Sequence, residues 1–499
     1  MSKKNQNYTN RKQNRFQPER MRGNVFVNNS GKQWLPGENG RAAKVERLLR
    51  GAKEEKKEIA STIKAKKHFS NHGEASFMSC IGEIPDEWGT TRISNVISKV
   101  KEQNKNGKEK QALQFTYGEI IPKKDFDADK EEYVAKTMLT YNLVQPGDII
   151  LNCLNLNYDF VTQRIGLVKD SGAITSAYIA MRCNTEKLSS EYAAYFFKAC
   201  DACKIFHTMG SGVRKTLTFT ELQKKEIPLP PLPEQQRIAD FLDTKCGILD
   251  RTIDAVSRQI EDLEKYKRAL ITKTVTKGIC KKGEPERAMK DSGVEWIGEV
   301  PEEWSVSKVK YNFSTFKKIP GKESEKYERL SLTMNGVKHR EKWTAEGLQP
   351  KDFMSYQLLR KGDLVFRLID LQNPSKSRRV ALSHDTGLIS PAYTILHADN
   401  NKMLPEYAEM FFLMMSYLDV FNALGSCGVR SSINNAELMK ISVPVPPLAE
   451  QQQIADYLDE KCKNIDNRVQ KRRQQLEWLK EYKKSLIFDY VTGKKRVEK

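Results

Sequence analysis

Paired cysteines are missing. The chain has nine, with no spacing that suggests a disulfide framework, so disulfides are not expected to hold the fold. Long apolar runs are missing too. Nothing approaches the ~18 consecutive residues that span a bilayer, which excludes a helical membrane protein. Residues 1–40 are polar and basic, not charged-then-apolar, so no secretory leader is read and a cytoplasmic location is expected.

Catalytic signatures are equally scarce. Gly210-Ser-Gly-Val-Arg-Lys215-Thr216 resembles a phosphate loop only in part, because Arg214 stands where that loop needs glycine before its lysine. A second such stretch, Gly425-Ser-Cys-Gly-Val-Arg-Ser431, has no lysine. Cys200, Cys203 and His207 share a helical face, but no second cysteine pair follows to complete a zinc site, so they read as buried helix residues. His68 and His72 lack the intervening Glu of a helical zinc hydrolase. Asn373-Pro374-Ser375 is not the Asn-Pro-Pro-aromatic element of amino-methyltransferases, and no paired-carboxylate nuclease signature stands out among 64 acids. The chain is therefore expected to be non-catalytic, with no metal and no cofactor of its own.

What is present is charge, length and repetition. The 499 residues allow about two to four domains. Lys and Arg number 84 against 64 Asp and Glu, a net +20, and residues 1–70 alone hold 18 Lys/Arg against 6 Glu. Most of the excess thus belongs to an N-terminal arm. Residues 1–75 read as this arm: largely disordered, since its Asn/Gln/Lys/Arg-rich start cannot bury enough surface to offset chain entropy, with a possible helix over 41–67.

The rest of the chain repeats. Ile81-Gly-Glu-Ile-Pro-Asp-Glu-Trp88 returns as Ile297-Gly-Glu-Val-Pro-Glu-Glu-Trp304. At the same offset, Glu234-Gln-Gln-Arg-Ile-Ala-Asp-Phe-Leu-Asp-Thr-Lys-Cys246 returns as Glu450-Gln-Gln-Gln-Ile-Ala-Asp-Tyr-Leu-Asp-Glu-Lys-Cys462. Between them Pro146-Gly-Asp148 answers Lys361-Gly-Asp363, Thr175-Ser-Ala-Tyr178 answers Ser390-Pro-Ala-Tyr393, and Gly212-Val-Arg214 answers Gly428-Val-Arg430. A period this long is a duplicated domain, not a solenoid. The markers agree while the stretches between them differ, so two copies share a scaffold and differ in what they present.

Each copy has two parts. The first mixes strand-like runs such as Asp148-Ile-Ile-Leu151 with helical runs such as Glu191-Tyr-Ala-Ala-Tyr-Phe-Phe197, which suggests an α+β globule. The second begins after Pro228, Pro230, Pro231 and Pro233 and carries a heptad seam: Leu242, Cys246, Leu249, Ile253, Val256, Ile260, Leu263, Lys267 and Leu270 in the first copy. The second reads Leu458, Cys462, Ile465, Val469, Arg472, Leu476, Leu479, Lys483 and Leu486. Both seams are interrupted by a late lysine. Two such stripes in one chain pair most naturally as an antiparallel coiled coil about an internal pseudo-twofold. From Glu234 to Lys277 a helix would span roughly 66 Å, a ruler with a globule at each end. The expected domains are 76–231 and 281–447 for the globules, 232–280 for the central helix and 448–499 for the C-terminal helix.

These residues resemble the specificity subunit of type I restriction-modification enzymes. The resemblance covers about residues 76–499 and rests on the order and duplication of the Ile-Gly-Glu-x-Pro-x-Glu-Trp openings, the Pro-Pro-Leu-x-Glu-Gln-Gln-x-Ile-Ala-Asp blocks and the long helices after them. It implies a phage-defence role in which each globule is a target recognition domain for half of a split, asymmetric DNA site. It also implies partners: double-stranded DNA, two methyltransferase subunits bound by the helices, and restriction/translocase subunits, with S-adenosylmethionine, ATP and Mg on those partners and no membrane. Half-sites read by two pseudo-twofold readers should lie near one helical turn, roughly 34 Å, apart.

For base contacts, the first copy offers Asn155, Asn157 and Arg164 after the Gly-Asp turn, and the second offers Gln372, Asn373, Arg378 and Arg379. Asn and Gln can grip adenine, and Arg guanine, in two bonds. Arg214, Lys215 and Arg430 follow Gly-rich turns where backbone comes close to a phosphate, which suits them to positioning the duplex. An alternative reading is a coiled-coil scaffold that meets DNA nonspecifically through its basic arm.

Overall fold

The computed structural model describes residues 77–123, 136–158, 163–279, 283, 287–315, 317–340, 353–372, 378–425 and 431–498. The N-terminal arm, His68 and His72 lie outside them. The chain divides into two compact units: one runs up to Leu232 and takes in Val491–Lys494, and the other holds Pro233–Tyr490 and the last residues.

In the first unit helix α1 (Phe77–Ile81) precedes ten strands: β1 (Gly89–Arg92), β2 (Ile97–Lys99), β3 (Leu113–Thr116), β4 (Glu119–Pro122), β5 (Asn142–Val144), β6 (Ile149–Leu151), β7 (Ile165–Leu167), β8 (Gly172–Ile174), β9 (Ile179–Cys183) and β10 (Glu226–Leu229). The main sheet has the order β2-β9-β6-β7, all antiparallel. Its central strands read Ile-Ile-Leu and Ile-Ala-Met-Arg-Cys and are buried along nearly their whole length, as strands covered on both faces must be. Helix α2 (Ser190–Ala202) lies against β7. It starts where Ser189 accepts from the Tyr192 N–H, an N-cap worth about 1 kcal/mol. Below it Phe77, Phe196, Phe197 and Phe206 meet edge to face. Cys200 is buried in α2, but the helix ends before the half-buried Cys203, and His207 is buried in a separate turn beyond the left-handed Lys204, so the three do not share one helical face as the sequence suggested; among the described residues no three potential ligands gather into a metal site.

The second unit repeats this plan with β11 (Met289–Asp291), β12 (Glu299–Pro301), β13 (Ser305–Lys308), β14 (Phe313–Thr315), β15 (Leu330–Thr333), β16 (Gly336–His339), β17 (Gln357–Leu359), β18 (Leu364–Phe366), β19 (Val380–Leu382), β20 (Gly387–Ile389), β21 (Thr394–Ala398) and β22 (Ser442–Val445). The sheet order β14-β21-β18-β19 matches the first copy strand for strand. The same unit holds the long helices α3 (Leu232–Lys277), from Pro233 on, and α5 (Leu448–Val491), up to Tyr490, with α4 (Pro405–Tyr417) packed on β19.

The repeated sequence markers hold this unit together. Glu450 accepts two bonds from the Arg287 guanidinium, at 2.5 and 2.9 Å, and one from the Trp304 indole at 2.8 Å. Gln451, fully buried, accepts from the Leu404 N–H and donates to the Lys402 and Pro446 carbonyls. The Glu-Gln-Gln block thus ties the start of α5 to the globule in front of it. Tyr407 on α4 donates to the Val275 carbonyl near the end of α3 at 3.0 Å. Tyr192, its counterpart on α2 of the first unit, donates to the Val491 carbonyl at the end of α5, also at 3.0 Å. Each globule therefore holds the C-terminal end of a long helix through the same buried tyrosine.

Along α3 and α5 the seam residues pack together. Val256, Ile260, Ile465, Val469 and Leu479 are buried in one cluster, with Leu249, Ile253, Leu263, Leu270 and Leu476 half-buried against it. Leu242, Leu458 and Leu486 are buried as well. The two interrupting lysines cross the seam: Lys267 bonds Asp466 at 2.6 Å and Lys483 bonds Asp250 at 2.6 Å. Going forward along α3 from Asp250 to Lys267 takes the partner back along α5 from Lys483 to Asp466, so the helices run antiparallel. Asp250 answers Asp466, and Lys267 answers Lys483, at the offset of the sequence repeat, so these are one contact repeated by the internal pseudo-symmetry. None of the described helices is long and apolar enough to cross a membrane.

Candidate nucleic-acid interface

The loops at the end of each main sheet are built by one set of rules. Gly147 and Gly362 have φ near +90°, which glycine adopts without strain, and the aspartate after each turns its carboxylate back on the turn. Asp148 accepts from the Gln145 N–H and Asp363 from the Arg360 N–H, both at 2.9 Å. A side chain from the neighbouring strand then holds the carboxylate: Arg182 at 2.8 Å in the first copy, which keeps that guanidinium above its ordinary pKa through the bond to Asp148, and His397 at 2.8 Å in the second.

Beyond β6 and β18 the chain enters a left-handed residue, Asn155 with φ +53° or Asp370 with φ +52°. Asn and Asp tolerate this conformation better than other L-residues. Carbonyls around it point inward onto one guanidinium. Arg164 donates to the Asn152 and Leu154 carbonyls at 3.0 and 2.8 Å, while Asp201 accepts its backbone N–H. Arg379 donates to the carbonyls of Ile369, Asp370 and Leu371 at 2.9 to 3.2 Å. Burial pushes the Asp201 carboxyl up and the Arg379 guanidinium down from their ordinary values. Arg164 is completely buried. The sequence expectation that Arg164 reaches base edges is therefore corrected: it braces the loop from within, because converging carbonyls need a charged donor once water is gone, and the half-buried Arg379 makes the same bonds in the second copy.

A second element clasps the loop. Asn157 donates to the Val213 carbonyl at 2.9 Å and accepts the Lys215 N–H at 3.1 Å, and the Leu156 N–H meets the Lys215 carbonyl at 2.9 Å. The second copy repeats the clasp: Gln372 accepts the Ser431 N–H at 2.8 Å and the Leu371 N–H meets the Ser431 carbonyl at 2.9 Å. Asn157 and Gln372 thus use part of their side-chain bonding capacity to join two loops. Arg378 is paired with Glu409 at 3.2 Å and is 22% exposed.

What remains on the rim is cationic and aromatic. Asn155 and Arg214 are exposed and Lys215 is half-exposed. Asn373 and Arg430 lie outside the described residues. The sequence reading missed three neighbours: Val213, 88% exposed; Tyr158, 68%; and Tyr117, 77%, at the tip of the β3–β4 hairpin. That tip packs close to the start of β7, because a Cβ added to Gly118 would stand 2.6 Å from the Gln163 Oε1 and 3.2 Å from the Ile165 carbonyl. The available signal was Tyr117-Gly118 itself, a large side chain placed where a tight turn forces φ to +48°. In the second copy Met334, 60% exposed, occupies the corresponding hairpin tip.

Comparison with known proteins agrees with this architecture. The family model for the type I restriction modification DNA specificity domain matches residues 85–265 and 392–477, together more than half of the chain. Among curated proteins, the putative type I restriction enzyme MjaX specificity subunit of Methanocaldococcus jannaschii is 26% identical over 432 residues, covering 84% of this chain and 96% of its own length. The MjaVIII specificity subunit of the same organism is 25% identical over 433 residues, covering 83% and 94%. A solved structure described as the structural basis of complex assembly and conformational transition of the type I R-M system shares the fold, with a TM-score of 0.57 at 15% identity over 83% of this chain and 99% of that one. A duplicated globule, paired long helices and these matches lead to one conclusion: the chain belongs to the family of type I restriction-modification DNA specificity subunits, the non-catalytic components of their complexes.

Proposed function

We propose that the chain is the DNA-reading subunit of a type I restriction-modification complex, with each globule reading one half of a split, asymmetric site. One observation carries this reading. The two copies build the same braced and clasped loop pair yet place different side chains on it: Asn155 against Asp370, and Lys215 against Ser431. A frame held constant under a changed rim is what two different half-sites require. The antiparallel helices would set the spacing between half-sites and bind two methyltransferase subunits. Restriction/translocase subunits would complete the complex, with S-adenosylmethionine, ATP and Mg held by those partners.

The test is co-expression with the cognate methyltransferase subunit in a host without adenine methylation, followed by genome-wide mapping of modified adenines. A split, asymmetric motif is expected, and exchange of residues 76–231 should change one half of it and leave the other. A continuous or symmetric motif would refute the two-reader scheme. If deletion of residues 1–70 abolished DNA binding altogether, the chain would instead be a scaffold that meets DNA through its basic arm.

A further inference from the structure

Beside the clasped loops of the first unit lies a cleft of about 600 Å³. Its floor is Cys153 and Leu217, which join the bases of the two loops through the Leu217 N–H and Cys153 carbonyl at 3.1 Å. It is lined by Ser98 and Lys99 of β2, an edge strand of the main sheet, by Lys101 just beyond that strand, and by Ser176, Thr220 and Gln223. Among the described residues no Asp or Glu lines the cleft. Two carboxylates adjoining its lining in sequence are turned elsewhere: Glu102 towards Arg182 at 4.0 Å, and Glu221 onto the Thr218 N–H and hydroxyl, both at 2.8 Å. Lys99 and Lys101 are exposed, and neither forms an ion pair among the described residues.

In the second unit Thr315 stands where Lys99 stands in the first copy, and its hydroxyl accepts from Asn435, the counterpart of Phe219, at 3.5 Å. Lys317 answers Lys101 there, and Lys318 answers Glu102.

We propose that this cleft seats the phosphate backbone of duplex DNA next to the half-site read by the first globule. Two ammonium groups, hydroxyls and an amide, with no carboxylate, suit phosphate oxygens and carry no base preference. The grip is sequence-independent. It rests on the DNA-reading function proposed above.

The experiment measures binding of the full chain, in complex with its methyltransferase subunits, to two duplexes between 50 and 200 mM salt: one carries the mapped motif and the other a scrambled sequence. K99Q/K101Q is expected to weaken both by the same factor and to flatten the log K against log salt slope by about 1.8, since each phosphate neutralised contributes roughly 0.9. The ratio between motif and scramble should not move. K105Q/K108Q, which removes the same charge outside the cleft, should leave the slope close to wild type. An unchanged slope for K99Q/K101Q, or a loss confined to the motif duplex, would overturn the proposal. So would protection of these two lysines from acetylation by pyrophosphate but not by duplex, which would mark a site for a free anion. If wild type fails to tell motif from scramble, the reading function fails, while the slope on the scrambled duplex still decides the cleft.

Discussion

Reversing one charge in the helix pair should cost stability that a second reversal restores. Lys267 contacts both carboxylate oxygens of Asp466, at 2.7 and 2.6 Å, and Lys483 does the same to Asp250, at 2.6 and 2.7 Å. Each carboxylate is more than half exposed, but the lysine side chains are only 20% and 29% exposed, because their stems lie in the apolar seam. Exposed pairs contribute about 0.2–1 kcal/mol, and a sunken lysine puts these near the upper end. D466K loses that attraction and sets two ammonium groups together, so about 2 kcal/mol is expected, a factor of roughly 30 in the local opening equilibrium. K267D/D466K restores opposite charges in the same geometry and should recover most of it. The symmetry-related pair lies about 26 Å away along the helix, so its reversal should add independently. Hydrogen exchange of peptides spanning 250–270 and 460–485, in the full chain, reads the helix pair without requiring two-state unfolding. A D466K variant as protected as wild type, or a double variant no better than the single, would refute the antiparallel register.

Arg164→Met should destabilise the first globule by about 3–5 kcal/mol, as removal of one partner from a buried charged network does; thermal unfolding checks it, and a loss under ~1 kcal/mol would contradict the brace. Tyr117→Ala should leave the melting temperature unchanged, because the ring is 77% exposed, yet weaken duplex binding by the ~1–3 kcal/mol typical of a base-stacked aromatic; equal affinity in a titration would remove Tyr117 from the interface. A seven-residue insertion between 250 and 267, matched by one between 466 and 483, keeps both ion pairs and adds roughly 10 Å; the mapped methylation motif should gain about 3 bp of spacer, and an unaltered spacer would defeat the ruler. Burial pushes the Cys183 thiol up to about 12 and the Cys462 thiol to about 11. Since the thiolate is the nucleophile, a raised pKa leaves on the order of 10⁻⁴ of Cys183 reactive at pH 8, and residue-resolved alkylation should find both cysteines inert until the pH approaches those values.

The duplication, the α+β class and both long helices were legible because each follows from periodicity or from markers that recur at a fixed offset. The seam residues Val256, Ile260, Ile465, Val469 and Leu479 pack as their spacing requires. The reading of the loops was harder, since an arginine that braces carbonyls and one that grips guanine look alike in sequence. Yet the chain held a clue. Arg164 and Arg379 recur in copies whose surrounding residues diverge, and a residue kept by two readers of different half-sites serves the frame they share. The same holds for Asn157 and Gln372, whose amides differ in length but make one clasp. The readers are to be sought among positions that changed.

That criterion also picks out where the two globules differ. Below the loops, Asp148 is held by a guanidinium and Asp363 by an imidazole. On the rim, Lys215 in the first copy faces Ser431 in the second, and beside the rim Lys99 faces Thr315. Other positions run the opposite way: Lys318 answers Glu102, Arg367 answers Asn152 and Arg378 answers Gln163, so positive charge is redistributed between the copies and not concentrated in the first. Phosphate contacts supply affinity and base contacts supply discrimination. Under the proposed function both globules therefore carry phosphate contacts, at different positions around each half-site. Mutations that weaken nonspecific binding should fall in both copies, and a search that found them confined to one would count against this redistribution.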